Sequence, residues 1–392
     1  MADPITFPLG SGVALGELEL DPHPVLARLR SSEPVSWVPV LGGWLVTAYE
    51  PALAVMRAPA TFTVDDPRFS TAQVVGPSML SRDGGEHRRH RTAFVAAFRP
   101  PAVRERFTDA AAEAAHSLLD ALPNSGYAEL RRQFAGPLAA AIMTRALGLE
   151  RSEVASVLAW YDGIVAAVTD ITAGRSPSPA GAEAFRALRR RIQPIVERPD
   201  VASLLSSAAH GSSLASHEII SNAAVLLFGG IETMEGMISN AVLHLLANPE
   251  QLSLARTDPA VLDAALEESL RLEPAAALID RYATVDVELG RAEIARGELV
   301  RVSIAGANRD PAIFAHPNRF DPARSRAAGR RHLAFAQGPH VCLGLHLARL
   351  EARIGLATLL GRLTTLRLDP QRPSPIRGLV FRKPPGLYVM WT

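Results

Sequence analysis

Cys342 is the only cysteine among the 392 residues, and its setting suits a reactive or metal-binding thiolate. It lies in the segment FAQGPHVCLG (335–344), at the start of a helical pattern that spans about 343–363. A cysteine at a helix N-terminus has its thiolate stabilised by the positive end of the helix dipole and by free backbone N–H groups. Such a thiolate acts as a nucleophile or as an axial metal ligand. Without that setting, a lone cysteine is usually a small buried hydrophobic residue.

A glycine pair and an acid interrupt a long apolar helical pattern in the segment LFGGIET (227–233). Adjacent glycines weaken a helix by about 1 kcal/mol each relative to alanine. Glu232 is costly to bury in an otherwise apolar run. The segment therefore fits either a functional distortion of the helix or a packing glycine pair beside an exposed acid.

Charged residues stand at helical spacing in two further places. Glu268 and Arg271 are three residues apart in LEESLRLEP, and His87 and Arg91 are four apart in DGGEHRRHR. Each pair shares one face of a helix, where most such residues are solvated surface charges. Taken alone, neither pair indicates a site.

The elements that must position these residues are mostly helices. Two short strands are predicted over 34–49, around a turn at Gly42 and Gly43. The remaining predicted elements, in chain order, are helices over about 100–170, a loop at 172–181, helices at 214–248 and 259–272, a β-rich stretch at 281–306, an irregular stretch at 308–332, a helix at 343–363 and two final strands. The fold class is therefore mainly α with a small β portion (α+β), in one domain over 1–392.

Composition narrows the function classes. The formal net charge is +1, from 41 basic and 40 acidic residues, which argues against a nonspecific nucleic-acid-binding protein. One cysteine allows neither an intramolecular disulfide nor a cysteine-rich zinc or iron–sulfur site within this chain. The N-terminus lacks a signal-peptide pattern, and no uncharged apolar run approaches about 18 residues. We expect a soluble cytoplasmic protein without a membrane anchor.

The cysteine segment resembles the haem-binding loop of the cytochrome P-450 family, which reads Phe-x-x-Gly-x-His/Arg-x-Cys-x-Gly. Phe335, Gly338, His340, Cys342 and Gly344 match it in register, whereas the position after Phe335 is alanine where glycine is usual. The resemblance implies a soluble bacterial haem-thiolate monooxygenase, with a P-450-like fold and a long central helix over the haem. Haem b (iron protoporphyrin IX) is the implied cofactor, O2 the co-substrate, and the Cys342 thiolate the axial iron ligand.

The long helix matches a second family pattern, Ala/Gly-Gly-x-Asp/Glu-Thr. By this resemblance the helix distorts at Gly229 and Gly230 and leaves a pocket for dioxygen. Thr233 is implied to hydrogen-bond the oxygen, and Glu232 to relay protons from solvent. A second threonine is common after this motif, but here the residue is Met234.

The charged residues also have counterparts in the family. Glu268, Arg271 and Arg324 are implied to form a buried network that holds the haem loop and takes no part in catalysis. The four implied partners of the haem propionates are the cations His87, Arg91, Arg281 and His340.

Substrate and redox partners follow from the resemblance alone. The pocket residues are implied to be apolar, which suggests a polyketide, terpenoid, steroid or fatty acid; they are Val74, Val75, Met79, Val225, Phe228, Ala276, Ala277, Ile279, Leu379 and Val380. Electrons are implied to arrive from ferredoxin and ferredoxin reductase. A basic surface for the ferredoxin is expected at Arg88, Arg89, Arg330, Arg331 and Arg349, unless these arginines are scattered solvated charges.

The loop at 172–181 is either a lid over the cavity or a surface connection.

Three alternatives stay open. The first is oxidative coupling or ring formation on a natural product, which unlike hydroxylation or epoxidation need not place labelled oxygen in the product. The second is a noncatalytic haem protein that binds a gas, although Glu232 and Thr233 argue against it because a carrier needs no proton delivery. The third is a cysteine hydrolase using Cys342 with His340 or His346, for which no nucleophile signature is present.

Overall fold

Helices dominate the computed structural model, which describes residues 7–198, 203–324 and 331–392. In chain order, the α-helices are α1 (Pro8–Ser11), α2 (Leu15–Leu20), α3 (His23–Ser32), α4 (Tyr49–Arg57), α5 (Ser70–Val75), α6 (Gly84–Val95), α7 (Pro100–Asp120), α8 (Gly136–Ala146), α9 (Val154–Thr172), α10 (Pro179–Val196), α11 (Leu204–Gly211), α12 (Ser216–Ala247), α13 (Pro249–Thr257), α14 (Pro259–Leu272), α15 (Ile304–Ala307) and α16 (Leu345–Arg362). A π-helical turn at Arg131–Ala135 precedes α8.

The strands form small sheets beside the helices. They are β1 (Val35–Val38), β2 (Gly43–Val46), β3 (Phe62–Thr63), β4 (Gly126–Glu129), β5 (Leu278–Ala283), β6 (Val287–Leu289), β7 (Ala292–Ile294), β8 (Leu299–Ser303), β9 (Arg367–Leu368) and β10 (Tyr388–Trp391). One sheet has the order β1-β2-β8-β5-β3, a second β4-β10-β9, and β6 pairs with β7. All pairs are antiparallel except β2 with β8. The predicted class, mainly α with a small β portion, is confirmed.

The long helix α12 forms the centre of the molecule. Its 32 residues span about 48 Å, and it ends before Pro249, close to the predicted bounds. It packs against α8, α9, α10, α14 and α16, and most of its residues are buried. The apolar character on most faces is therefore explained by helices on several sides.

Three hydrophobic clusters surround this arrangement. The largest joins α12 to the helices around it. The second lies between the five-stranded sheet and α4, and the third between that sheet, the N-terminal helices and the C-terminal segment near Leu379. The C-terminal segment reaches the helical part as well, because β10 pairs with β4.

The predicted loop at 172–181 is shorter than expected, since α9 extends to Thr172 and α10 begins at Pro179. The stretch Arg151–Thr172, which contains α9, is long and apolar enough to cross a membrane by length and composition. Interior helices of globular proteins meet the same criterion. Unlike them, α9 is buried at only five of its 19 residues; it packs against α8, α10 and α12 and contains the charged Asp162 and Asp170.

Candidate active site

The cysteine loop is closed by backbone contacts. The Cys342 N–H donates to the Phe335 carbonyl at 2.9 Å, and Gly344 is the N-cap of α16. Gly338 has φ +74°, and a Cβ there would lie 2.4 Å from the Met56 carbonyl oxygen. Only glycine satisfies both conditions, so this position fixes the loop against α4. Ala336 also has a left-handed backbone, with φ 55°, where glycine would carry no steric cost.

The Cys342 thiol faces a space inside the protein. Its side chain is accessible, yet burial raises the pKa of the thiol and outweighs the hydrogen bond from the Gly344 backbone. The two observations agree if the sulfur borders an internal cavity. Our expectation that the helix N-terminus alone favours the thiolate is therefore incomplete, because burial acts against it. A bound metal cation would reverse this balance, since a coordinating thiol loses its proton.

Two histidines lie together beside the loop. The His87 and His340 rings are 4.3 Å apart, and His340 Nε2 lies 2.8 Å from Asp83 Oδ1. His87 is buried, and its Nε2 has no hydrogen-bond partner within the described ranges. Burial lowers the pKa of His87 to about 4, so the ring is neutral at pH 7 and keeps one N–H to donate. An orphaned buried ring nitrogen fits an absent acceptor.

Arg91 and Arg281 are two cations that form no ion pair with an acid in the part of the chain that the structure describes. Arg91 Nη2 donates to the Val341 carbonyl at 2.7 Å, and Arg281 Nη1 donates to the Asp280 carbonyl at 2.7 Å. Arg281 is buried, and burial lowers its pKa to about 10, so it remains charged at neutral pH. Two guanidinium groups with no carboxylate of the described residues within 4 Å, plus an orphaned histidine nitrogen, suit a dianionic ligand. The residues present thus fit a haem with its two carboxylates.

One face of α12 is open. The partly accessible residues Leu226, Gly229, Gly230 and Thr233 recur at helical spacing inside a buried stretch. A Cβ on Gly229 would meet nothing within 4 Å, whereas one on Gly230 would lie 2.4 Å from Met143 Sδ. Gly229 therefore leaves room on the open face, and Gly230 permits close packing against α8.

The helix is not interrupted at Gly229 and Gly230, where a distortion was expected. The α-helix is continuous from Ser216 to Ala247, and the Thr233 hydroxyl donates to the Gly229 carbonyl at 2.7 Å. Such a bond from threonine to the carbonyl four residues earlier often bends a helix without breaking it.

Glu232 is buried, with both carboxylate oxygens engaged. The Tyr161 hydroxyl donates to Oε2, and Lys383 Nζ lies 2.8 Å from Oε1. Lys383 also contacts Glu235, one turn further along α12. Tyr161, Glu235 and Lys383 were not found from the sequence. The one available signal was that Lys383 is the only lysine in the chain.

Glu268, Arg271 and Arg324 lie in one buried network. Arg271 forms two hydrogen bonds of 2.8 Å to the Glu268 carboxylate, and Arg324 Nε lies 3.2 Å from Glu268 Oε1. Arg271 also donates to the carbonyls of Asn308, Pro317 and Arg319. The network therefore ties α14 to the irregular segment before the cysteine loop.

Comparisons with known proteins agree with this geometry. The family model described as Cytochrome P450 matches residues 253–391, which include the Glu268 network and the cysteine loop. The cytochrome P450 monooxygenase PikC of Streptomyces venezuelae is 34% identical over 399 residues, covering 96% of this chain and 94% of PikC. The chain belongs to the cytochrome P450 family.

Two solved P450 structures share the fold. P450BioI, in complex with an acyl carrier protein that carries hexadec-9Z-enoic acid, has a TM-score of 0.85 and 30% identity, covering 95% of this chain and 99% of P450BioI. CxnD, a P450 for C–S bond formation in chuangxinmycin biosynthesis, has a TM-score of 0.86 and 26% identity, covering 97% of both chains. This protein is therefore an enzyme of the P450 monooxygenase class, whose members use haem and O2.

The residues expected to line the substrate pocket of this P450 are spread over three clusters. Those before β5 belong to or pack against the cluster around α12; they are Val74, Val75, Met79, Val225 and Phe228. Ile279 packs against the second cluster, Ala277 belongs to the third, and Leu379 and Val380 pack against the third. Ala276 pairs with Phe381, whose ring lies 5.4 Å from that of Phe228. Phe381, which the sequence analysis omitted, thus joins the α12 part of this set to the C-terminal segment.

The expected basic surface of this P450 is partly neutralised. Arg89 pairs with Glu86 and Glu218, and Arg349 pairs with Glu267. Arg88 and Arg331 are exposed and form no ion pair with the described acids. Arg330 lies outside the described residues. A surface cleft of about 280 Å³ opens beside Arg349, between α7, α14 and α16.

Proposed function

We propose that this P450 inserts one oxygen atom of O2 into a hydrophobic small molecule, by hydroxylation or epoxidation, in the cytoplasm. The observation that carries the proposal is the Cys342 thiol, whose side chain is accessible although burial raises its pKa, together with Arg91 and Arg281. These cations make no ion pair within the described residues. Such a donor set suits a thiolate-ligated iron whose macrocycle carries carboxylates.

Each residue has one task in this proposal. Haem b, when bound, supplies the activation of dioxygen with electrons from outside the chain. Cys342 holds the iron, and His87, Arg91, Arg281 and His340 hold the carboxylates. Phe335, Gly338 and Gly344 shape the loop around the thiolate.

In this proposal the open face of α12 accommodates the dioxygen. Gly229 leaves space there, and the Thr233 hydroxyl lies on the same face. Glu232 is the acid that supplies protons to this face. Because Glu232 is buried and bonded, protons must reach it through its partners.

The apolar side chains assigned to the pocket support a hydrophobic substrate. The residues of α12 and the C-terminal segment proposed to line it, including Val225, Phe228 and Leu379, are apolar. P450BioI was solved with a fatty acid attached to its carrier protein. We therefore place a long-chain acyl compound or a polyketide among the first candidates to screen.

The proposed electron donor is a ferredoxin, reduced by a ferredoxin reductase. The exposed Arg88 and Arg331 support it, because unpaired surface cations attract an acidic partner. Changing each to Glu should lower the rate of haem reduction at low salt and weaken its salt dependence. Arg190→Glu, an exposed arginine of α10 outside this set, is the control. Unchanged reduction in the Arg88 and Arg331 variants would refute the docking surface.

The decisive experiment is the absorption spectrum of the reduced protein with carbon monoxide. The wild-type protein should show the long-wavelength Soret band that gives the family its name, and Cys342→Ser should lose it. Ala336→Gly, which changes the same loop without touching the thiol, should keep it. A haem-containing wild type without the band would refute thiolate ligation, and no haem at all would refute the whole proposal.

Oxidative coupling is the second candidate, favoured by the resemblance to CxnD, which forms a C–S bond. Turnover under ¹⁸O2 separates the two reactions, since only oxygen insertion must place the label in the product. A noncatalytic gas-binding role requires no proton delivery and leaves the Glu232 network unexplained. Stable binding of O2 without consumption of reductant would favour that role instead.

A further inference from the structure

The only lysine of the chain lies in a buried cluster beside the proposed active site. The other 40 basic residues are arginines, yet position 383 is lysine. Its side chain is 12% exposed, and it contacts Glu232, Glu235 and the Tyr161 hydroxyl, the last at 3.3 Å. Lysine differs from arginine in one way relevant here: its ammonium group can release a proton inside a protein, whereas guanidinium cannot.

The carboxylates of Glu232 and Glu235 lie on the same side of α12. Glu232 and Glu235 are three residues apart, so their side chains leave the helix on the same side. Their exposed fractions are 5% and 1%, and Lys383 Nζ lies between them. A Cβ on Gly136 would lie 2.9 Å from Glu235 Oε1, so the glycine at the start of α8 makes room for this acid.

The outer end of the cluster reaches solvent. Arg131 Nε lies 3.2 Å from Glu235 Oε2, and Arg132 Nη1 lies 3.9 Å from Oε1. Arg132 is half exposed and also pairs with Asp162, itself half exposed. Glu235 is therefore the carboxylate that contacts the half-exposed Arg132, although its own side chain is buried, and Glu232 is the one next to Thr233 in the chain.

Glu232 is held away from a direct exchange with solvent. Tyr161 donates to one of its oxygens, and Lys383 contacts the other. Burial and the neighbouring carboxylates of Glu232 and Glu235 raise the pKa of Tyr161, so this hydroxyl stays protonated at physiological pH. Lys383 is thus the partner of Glu232 that can exchange a proton with the outer carboxylate.

We propose that Lys383 resupplies Glu232 with protons taken up at Glu235. The inference rests on the proposed function, in which Glu232 delivers a proton toward Thr233. After that delivery, the Lys383 ammonium transfers a proton to Glu232: an Nζ–H bond breaks, an O–H bond forms at Oε1, and the amine becomes neutral. Glu235, protonated from solvent beside Arg132 and Asp162, then returns a proton to Nζ. Lys383 acts through Glu232 and is a positioning and proton-supplying residue.

The first test measures O2 consumption by the haem-loaded protein with a ferredoxin and its reductase, which requires no identified substrate. Lys383→Arg keeps the positive charge between the carboxylates but cannot release a proton. It should slow the reaction about 10- to 100-fold, increase the solvent isotope effect and alter the pH profile. Its thermal unfolding temperature should stay close to that of the wild type. An unchanged rate and pH profile in Lys383→Arg would overturn the proposal.

Tyr161→Phe is the matched control for an effect on the position of the Glu232 carboxylate. It removes the hydrogen bond to the Glu232 carboxylate and the contact of the hydroxyl with Lys383 Nζ, but it keeps the lysine between its two carboxylates, so the rate should fall by less than about threefold. A fall as large as that of Lys383→Arg would show that placement of Glu232 matters and proton exchange does not, and would overturn the proposal.

The second test is independent of haem. Because Lys383 is the only lysine, acetic anhydride can acylate it and the N-terminal amine alone among the amines, and mass spectrometry distinguishes the two. Lys383 should react far more slowly than the N-terminal amine in the wild type and faster in Tyr161→Phe. Equal reactivity of the two amines in the wild type would show that the cluster does not form. The absence of the thiolate band with slow acylation would refute the proposed function, and the proton supply with it, while leaving the cluster intact.

Discussion

Glu351 gives the sharpest quantitative prediction for stability. It lies in α16, the helix that follows the cysteine loop, and only 2% of it is exposed. Its Oε1 has no hydrogen-bond partner within the described ranges, and burial raises the pKa of the carboxyl group to about 8. The folded protein therefore holds the proton at pH 7, whereas the unfolded chain releases it near the ordinary value of 4.5.

The sign and size of the effect of pH on stability follow from the difference between these two pKa values. The stabilising contribution of protonated Glu351 is complete below pH 4.5 and declines until the pH reaches about 8. At about 1.4 kcal/mol per pH unit, the loss at pH 7 is about 3 kcal/mol, and at pH 5 it is below about 1 kcal/mol. Glutamine has the same shape and no charge, so Glu351→Gln should avoid this loss. An unfolding entropy of about 2.1 cal/mol/K per residue converts 3 kcal/mol into about 4 °C for a chain of this length.

Thermal unfolding of the two proteins at pH 5 and pH 7 tests the prediction. Glu351→Gln should unfold about 4 °C higher than the wild type at pH 7 and within about 1 °C of it at pH 5. Glu267→Gln is the control with the opposite sign. Burial alone would raise the pKa of Glu267, but hydrogen bonds from Arg349 and His332 hold it at about 2. Its stability contribution is present above pH 4.5 and is lost only as the pH falls through 2, so this variant should be less stable at both pH values. A Glu351→Gln shift that does not depend on pH would refute a buried neutral carboxyl.

Three further substitutions test the loop and the network behind it. Gly338→Ala should destabilise the protein by about 2–4 kcal/mol, because alanine is strained in the left-handed backbone conformation and its Cβ would contact the Met56 carbonyl. Ala336→Gly should change the stability by less than about 1 kcal/mol. Thermal unfolding of both variants checks these values. Arg271→Met should cost about 3–5 kcal/mol, because it leaves Glu268 charged and buried and removes the donor from three carbonyls, and denaturant unfolding should show a lower midpoint. An Arg271→Met protein as stable as the wild type would contradict a structural role for the network.

The sequence predicted well the features that local chemistry specifies. The long helix was predicted within two residues at its start because its apolar pattern is continuous and Pro249 follows it. Gly338 matched a glycine of the family's haem-binding loop, and the structure shows both the positive φ and the backbone contact that require glycine. The departure at Ala336 was visible as well, although its left-handed backbone was not, since one residue type does not reveal its dihedral angles.

Tertiary proximity was harder to predict. The pocket residues were assigned as one set by resemblance, and the sequence did not indicate that they lie in or against three different hydrophobic clusters. The expected basic surface lost two of its members to acids distant in sequence, since Arg89 pairs with Glu218 and Arg349 with Glu267. Ion pairs of this kind depend on how helices pack, and charge spacing along one helix does not contain that information.

The Glu232 cluster shows that amino-acid composition can point to a site that the spacing of residues along the chain does not reveal. Its members come from α9, α12 and the C-terminal segment, so no local motif contains them. A chain that uses arginine at 40 of its 41 basic positions has little compositional reason to use lysine, and the exception lies between two buried carboxylates. If charge alone were needed there, arginine would serve, with more donors to satisfy both acids. A compact ammonium that can release a proton is the property arginine lacks, which is why Lys383→Arg separates the two explanations.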